Sequence, residues 1–595
     1  MTRARPVRTR WWTLLVALGL TAATLVAAPD AEARTRPVRQ PVAVGSGGAV
    51  ATVDPEASAI GLDVLARGGN AVDAAVASAA ALGVTEPYSA GIGGGGFFVF
   101  YEAATGEVHT LDGRETAPAA MRVDSFAPGG SALPFAEAVT SGLSVGVPGT
   151  PATWEEALER WGTITMNRAL AGSIQLARRG FEVDETFRSQ TESNADRFAD
   201  FPATRELFLP DGEAPAVGTR FRNPDLADTY RLIAREGADA ITTGPVAEDI
   251  VETVQQPPVD PAADRVVRPG LMTTADLAAY EVVEREPTVS DYRGLEVYGM
   301  GPPSSGGTTV GEALNVLERF DLSAMDRTQA LHHYLEASAI AFADRNRYVG
   351  DPASVDVPVE ELLSDGFAAE RACLVEPDAV LPRPVAPGSP DGSYTGCPDG
   401  GIPGGESPEG PSTTHLTTAD RWGNVVSYTL TIESTGGSGI VVPGRGFLLN
   451  NELTDFSFTD TQGGDDPNLP GPGKRPRSSM SPTIVLRDGE PWLALGSPGG
   501  ATIITTVLQT LVNRVDLGQD LPTALAAPRA SQRNGTTQAE PGFETAELQA
   551  LGHTFTPTAE LGAAAAVELL GDGRFQAVAE PTRRGGGSAR VVEED

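Results

Sequence analysis

The 595-residue chain holds only two cysteines and five histidines, and its positive charge is sparse, with 44 Lys and Arg against 79 Asp and Glu. The histidines, His109, His332, His333, His415 and His553, include no pair at metal-ligand spacing, and the adjacent His332 and His333 point different ways on a helix. No metal site is expected. The formal charge of −35 becomes −37 without residues 1–33, which carry four arginines against Asp30 and Glu32. That balance disfavours nucleic acid and anionic membrane surfaces, which attract proteins chiefly through positive charge. It suits solubility and specifies no substrate.

The start of the chain reads as an address. Arg3, Arg5, Arg8 and Arg10 precede the apolar run Trp11 to Ala28, and Ala31-Glu32-Ala33 offers a small-x-small cleavage site. This is the pattern of a secretory signal over residues 1–33, and an uncleaved membrane anchor is the alternative. In an exported protein Cys373 and Cys397 are candidates for one disulfide, against two exposed thiols without a role.

Residues 376–412 are rich in Pro, Gly, acidic and small polar residues, a composition that favours exposed coil. Directly after them stands Pro411-Ser412-Thr413-Thr414-His415. Thr413 to Ala419 and Val425 to Glu433 read as strands, with Val426, Tyr428, Leu430 and Ile432 alternating against Ser427, Thr429, Thr431 and Glu433. If Asp420 pairs with Asn424 around Arg421-Trp422-Gly423, with Gly423 left-handed, Thr413 falls opposite Thr431. A one-residue bulge would send Thr431 to the other face. Threonine is a poor nucleophile inside a chain, but at a chain start its own α-amine can serve as base. A cut between Ser412 and Thr413 would therefore create a catalytic group, whereas the bland reading is a solvated Thr-rich hairpin after a linker.

Two other motifs compete. Gly91-Ile92-Gly93-Gly94-Gly95-Gly96 fits the dinucleotide-binding glycine pattern, but a helix precedes it and the strand-like Phe97 to Tyr101 follows, the reverse of the fingerprint's order. Close backbone packing near a site is the better reading. Gly142-Leu143-Ser144-Val145-Gly146 matches a nucleophile elbow, which needs a helix directly after the serine; here any helix waits until about Thr150.

Downstream of Thr413 come Gly446 to Glu452, Asp455-Phe456, Lys474 to Pro482 and Gly496-Ser497-Pro498-Gly499-Gly500. With Leu111-Asp112-Gly113-Arg114-Glu115-Thr116-Ala117-Pro118, these resemble the γ-glutamyltranspeptidase family from Asp54 to beyond Gly500. The resemblance implies an α+β fold, the four-layer αββα sandwich of N-terminal nucleophile hydrolases, self-cleaved into a large subunit (34–412) and a small one (413–595) that stay associated as a heterodimer. It implies that Thr413 is the nucleophile, Thr431 its hydroxyl partner, and Gly499-Gly500 the oxyanion hole, where residues without a Cβ allow close approach to developing charge. Arg114, Ser478 and Ser479 match the carboxylate-binding positions, and a guanidinium fork suits a carboxylate as lysine cannot. Glu433, Glu452 and Asp455 match the ammonium end, where some relatives carry Asn and Gln in place of the two glutamates. Three carboxylates around one cation would raise one another's pKa.

The stretch Ser457 to Gly473 is short and lacks tyrosine, so the site is expected to be lidless. The implied activity is a secreted γ-glutamyl transferase and hydrolase, needing no cofactor, with glutathione and related donors and with water, amino acids or peptides as acceptors. Rival readings are a glutaryl β-lactam acylase of the same fold, disfavoured because a glutaryl group has no ammonium for the carboxylates, and an uncleaved, noncatalytic exported binding protein. Length alone would suggest several domains, though one long sandwich is compatible with it. A coarse pass along the chain predicts a helix capped at Asp54-Pro55 and stopped by Gly68-Gly69, a small-residue helix capped by Asn70 and running to about Leu82, and helices at Thr328 to Tyr348 and Ile503 to Val515. It predicts strands at Phe97 to Tyr101, Val108 to Asp112, Thr483 to Arg487 and Trp492 to Leu495.

Overall fold

Asp54 starts the first helix, Pro55–Ala66, by accepting the amides of Glu56 and Ala57, and Gly68 ends it at φ +89°. Asn70 and Asp73 then form a reciprocal capping box on the Ala71–Thr85 helix, every residue of which is buried. A helix without an exposed face must be apolar or small all round, as this one is. The computed structural model describes residues 37–593 except 395, 398–403, 406–409 and 411. The expected signal segment lies outside the described residues.

The glycine run after this helix is a packing device. A Cβ at Gly93, Gly94 or Gly96 would run into the carbonyl oxygens of Leu448, Thr431 and Thr429 respectively. The bare backbone lets the Gly95–Glu102 strand lie directly beside the Val425–Thr431 strand, with Phe98 opposite Tyr428. The order is helix, glycines, strand, as expected. The competing Ser144 sits in a short 3-10 turn with its hydroxyl bonded to the Val139 and Ser141 carbonyls, and the next helix begins at Thr150.

The hairpin after Ser412 closes as its sequence predicts. The Asp420 amide donates to the Asn424 carbonyl at 3.0 Å, Gly423 takes φ +93°, and the ladder runs from Ala419–Val425 back to Thr414–Leu430. One further step places Thr413 beside Thr431, with no bulge between.

Two seven-stranded sheets face each other. One runs, edge to edge, Ser588–Val591, Gly48–Thr52, Thr414–Asp420, Val425–Thr431, Gly95–Glu102, Glu107–Asp112, Val283–Arg285. The other runs Val42–Gly45, Phe575–Ala579, Ala565–Leu569, Glu490–Gly496, Thr483–Arg487, Leu295–Gly299, Thr288–Tyr292. Val426, Tyr428, Leu430 and Ile432 pack outward against the Ala71–Thr85 helix and its neighbours. The opposite face of the same strand meets the second sheet, where the Ser427 hydroxyl bonds the Leu495 carbonyl at 3.0 Å. The helices Gly306–Glu318, Arg327–Tyr348 and Thr502–Val515 cover the far side. The result is the four-layer αββα sandwich, in which alternate residues of one strand serve two different cores. Among the described residues no helix is long and apolar enough to cross a membrane.

The described part of 376–394 departs from the expected exposed coil. The Leu381 amide and Arg383 bond Glu336, Gly388 N bonds Asp344 at 2.5 Å, Val385 is buried, and the Tyr394 ring packs on Phe367. Polar backbone in a Pro-rich segment buries readily once carboxylates on a neighbouring helix accept its amides. Cys373 and Cys397 are joined in a disulfide across this region.

Candidate active site

The Ser412 carbonyl is the centre of the site. It accepts the hydroxyl of Thr413 at 2.5 Å and that of Thr431 at 3.0 Å, and all three residues are buried. The Glu433 amide donates to the Thr431 hydroxyl at 2.8 Å, so the Thr431 proton is free to point at the Ser412 oxygen. A donor aimed at that oxygen is the group needed when negative charge develops there. Glu433 holds φ +77°, an uncommon conformation for a side-chain residue, which turns its carboxylate back toward the same cleft. That carboxylate accepts the Gly410 amide, the Asn451 side chain and, at 2.6 Å, the Ser434 hydroxyl.

Arg114 lies at the end of the Glu107–Asp112 strand, where Asp112 accepts its amide at 3.0 Å and Tyr280 and Arg475 bond its carbonyl. Its guanidinium pairs with Glu452 and, at 2.5 Å, with Asp455. This differs from the expected division of the pocket, with arginine at one end and carboxylates at the other. A buried cation takes the carboxylates within reach, because an unpaired buried charge is far costlier. Burial works against the charge on Arg114, but Glu452 and Asp455 outweigh it and hold the guanidinium protonated above its ordinary range. Burial raises Glu452 well above ordinary carboxylates, and Arg114 offsets part of that. Burial, followed by the charge of Glu452, pushes Glu433 up to about 7.

Ser478 and Ser479 line the same cleft. The Ser479 hydroxyl accepts from Arg345 at 2.7 Å, and the Ser478 carbonyl accepts the Ser305 amide and hydroxyl, both at 2.7 Å. Gly499 and Gly500, at φ +137° and +57°, turn the chain from the Glu490–Gly496 strand into the Thr502–Val515 helix, and Gly500 joins the cleft wall. The space left among these residues is about 10 Å³, room for roughly one water. The cleft is filled by its own side chains and by Gly410 and Ser412.

Glu115 is the group that the sequence reading left without a role. It is fully buried, and its carboxyl is raised chiefly by burial. A hydrogen bond from Glu452, whose own carboxyl is raised further, offsets part of that rise, while the Arg114 guanidinium stands 4.0 Å away. Its signal was adjacency to Arg114 at the inner end of a strand, where a second charge would be buried with the first.

The structure also brings together histidines that spacing separated. Nδ1 of His332 and Nε2 of His553 lie 2.8 Å apart, and with Glu336 their ligating atoms fall within 4.8 Å of one another. Arg383 occupies the Glu336 carboxylate at 2.5 Å and His332 Nε2 bonds the Glu376 carbonyl at 2.7 Å, so a cation already sits where a metal would. Burial lowers His553 to about 3 and keeps it neutral. His415 is likewise lowered to about 3 by burial, between the Thr429 and Thr417 hydroxyls.

A family model described as gamma-glutamyltranspeptidase matches residues 57–590. The chain belongs to the γ-glutamyltranspeptidase family. It is 40% identical over 560 residues to the glutathione hydrolase proenzyme of Bacillus subtilis (strain 168), covering 91% of this chain and 92% of that one. It is 36% identical over 517 residues to the acylase ACY 1 proenzyme of Pseudomonas sp. (strain SE83), covering 86% and 87%. Among solved structures, cephalosporin acylase from Bacillus halodurans superposes with a TM-score of 0.82 at 30% identity, over 96% of this chain and all of that one.

Proposed function

We propose that the chain is an exported proenzyme that cuts itself between Ser412 and Thr413, then transfers the γ-glutamyl group of glutathione and related compounds to water, amino acids or peptides. The observation that carries this reading is the Ser412 carbonyl under the hydroxyls of Thr413 and Thr431, beside a cleft holding Arg114, Ser478, Ser479 and three carboxylates. Residues 34–412 become the large subunit and 413–595 the small one. The basic and apolar start of the chain supports export.

In self-cleavage the Thr413 oxygen adds to the Ser412 carbonyl carbon, and its proton ends on the Thr413 nitrogen as the C–N bond breaks. Water then hydrolyses the ester, leaving a Ser412 carboxylate and a free Thr413 amine. In turnover that amine takes the hydroxyl proton as the oxygen attacks the γ-carbonyl, and passes it to the departing amine. Gly499 and Gly500 are assigned to the oxyanion. Departure of the 410–412 tail frees Glu433, and the substrate's α-carboxylate displaces Glu452 and Asp455 from Arg114 so that they turn to its ammonium.

Intact masses of the mature protein beside Thr413→Ala test the reading. Two fragments, the smaller beginning at Thr413, with the variant left whole and inactive on glutathione, are expected; one uncut chain in both would point to a noncatalytic binding protein. A second reading as a glutaryl β-lactam acylase draws on the 0.82 TM-score to a cephalosporin acylase. Side-by-side turnover of a γ-glutamyl anilide and a glutaryl cephalosporin separates them, with preference for the first expected from the carboxylates at Glu433, Glu452 and Asp455.

A further inference from the structure

Self-cleavage needs the scissile carbonyl held still, and the hydroxyls of Thr413 and Thr431 touch only its oxygen. What fixes the residue that carries it lies on the other side of the chain. The Ser412 side chain is buried, with its Oγ 2.8 Å from the Ser89 hydroxyl and 3.2 Å from the Tyr88 carbonyl. A carbonyl only accepts, so Ser412 donates to Tyr88 and the Ser89 hydroxyl donates to Ser412.

This clamp is itself anchored. The Ser89 amide bonds the Glu86 carbonyl at 2.9 Å, and the Tyr88 carbonyl also takes the Gly436 amide at 2.8 Å. The Tyr88 ring is packed among Phe187, Phe198 and Phe208, with its hydroxyl 2.5 Å from that of Thr191. Ser89 is fully buried. Two hydrogen bonds to one short side chain fix its rotamer and restrict rotation of the adjoining carbonyl, the orientation on which an intramolecular attack depends.

We propose that Ser89 is a positioning residue for self-cleavage: with the Tyr88 carbonyl it holds the Ser412 side chain and so aims the Ser412 carbonyl at Thr413. The role rests on the proposed cut at Ser412–Thr413. It adds no chemistry to that step; the C–O bond forms, the C–N bond breaks and water completes the cleavage as before.

The test is the time course of precursor loss after synthesis, read on denaturing gels with intact masses, for the parent, Ser89→Ala, Ser412→Ala, the double variant and Ser89→Thr. Ser89→Ala and Ser412→Ala should each cut about 10-fold slower or more, the double variant no slower than the worse single, and Ser89→Thr within about threefold of the parent. Non-additivity is the signature of one shared contact, since a general loss of stability would compound. Parental cutting by Ser89→Ala, or a double variant slowed by the product of the singles, overturns the role. Should Ser89→Ala fail to fold, Ser412→Ala decides, and its cutting at the parental rate overturns the role equally. An uncut parent, or a Thr413→Ala chain that still cuts, brings down the proposed function and this role with it. A parent that cuts normally beside an unaffected Ser89→Ala removes Ser89 alone.

Discussion

A guanidinium with no exposed surface needs carboxylates around it, and Arg114 has Glu452, Asp455 and, farther off, Glu115. Removing it as Arg114→Ala strands buried carboxylates, so thermal unfolding should show a loss of about 3–5 kcal/mol alongside lost glutathione turnover. Arg114→Lys keeps a charge without the fork; kcat/KM for glutathione should fall about 100-fold while the subunits still form. Glu433 gives the pH dependence. Its folded-state value of about 7 lies above the ordinary 4.5, so below pH 7 it is neutral and cannot pair with an ammonium. The inhibition constant of free glutamate should fall up to about tenfold from pH 6 to 8, and Glu433→Gln should flatten that limb. The same raised value makes Glu433 a cost to the fold that grows from the unfolded carboxylate's pKa up to about 7 and is constant above it. These roles are only half legible in the chain: the acidic residues are visible, but which of them meets Arg114 depends on segments more than 300 residues away.

The hairpin after Ser412 is an element whose register follows from local rules. Period-2 patterning and a glycine with φ +93° in a three-residue turn suffice to set Thr413 against Thr431. Its neighbour, the glycine run, depends on closeness of approach. In Gly94→Ala the added methyl meets the Thr431 carbonyl and the Ile432 side chain. That overpacking should cost about 1–3 kcal/mol in thermal unfolding and slow appearance of the two subunits about 10-fold or more, because the Thr431 backbone must shift. Wild-type cutting by Gly94→Ala would mean that the strands can separate without moving Thr431. The 376–394 segment shows the opposite case. Its Pro- and Gly-rich composition reads as free coil, yet it docks because Glu336 and Asp344 on the Arg327–Tyr348 helix supply acceptors that no local pattern announces.

At the scale of the whole molecule, both cysteines lie before the proposed cut, so their disulfide ties the large subunit to itself. Mature protein should therefore run as the same two bands on denaturing gels with or without reductant; a single band without reductant would show a covalent link between subunits. Contacts across the proposed cut are noncovalent, among them the His332–His553 bond and the sheet ladders that pair strands from both sides of it. By itself the sequence determined the helix caps at Asp54 and Asn70, the alternation and turn of the hairpin, the order of helix, glycines and strand, and the motifs that place the chain in its family. These rest on interactions within a few residues, where spacing and turn geometry are decisive. Only the tertiary structure decided that Arg114 is closed on Glu452 and Asp455, that Glu115 is buried beside them, and that Ser89 meets Ser412 across 323 residues. Those pairings arise from burial, which forces each charge and hydroxyl to find a partner wherever the folded chain brings one near.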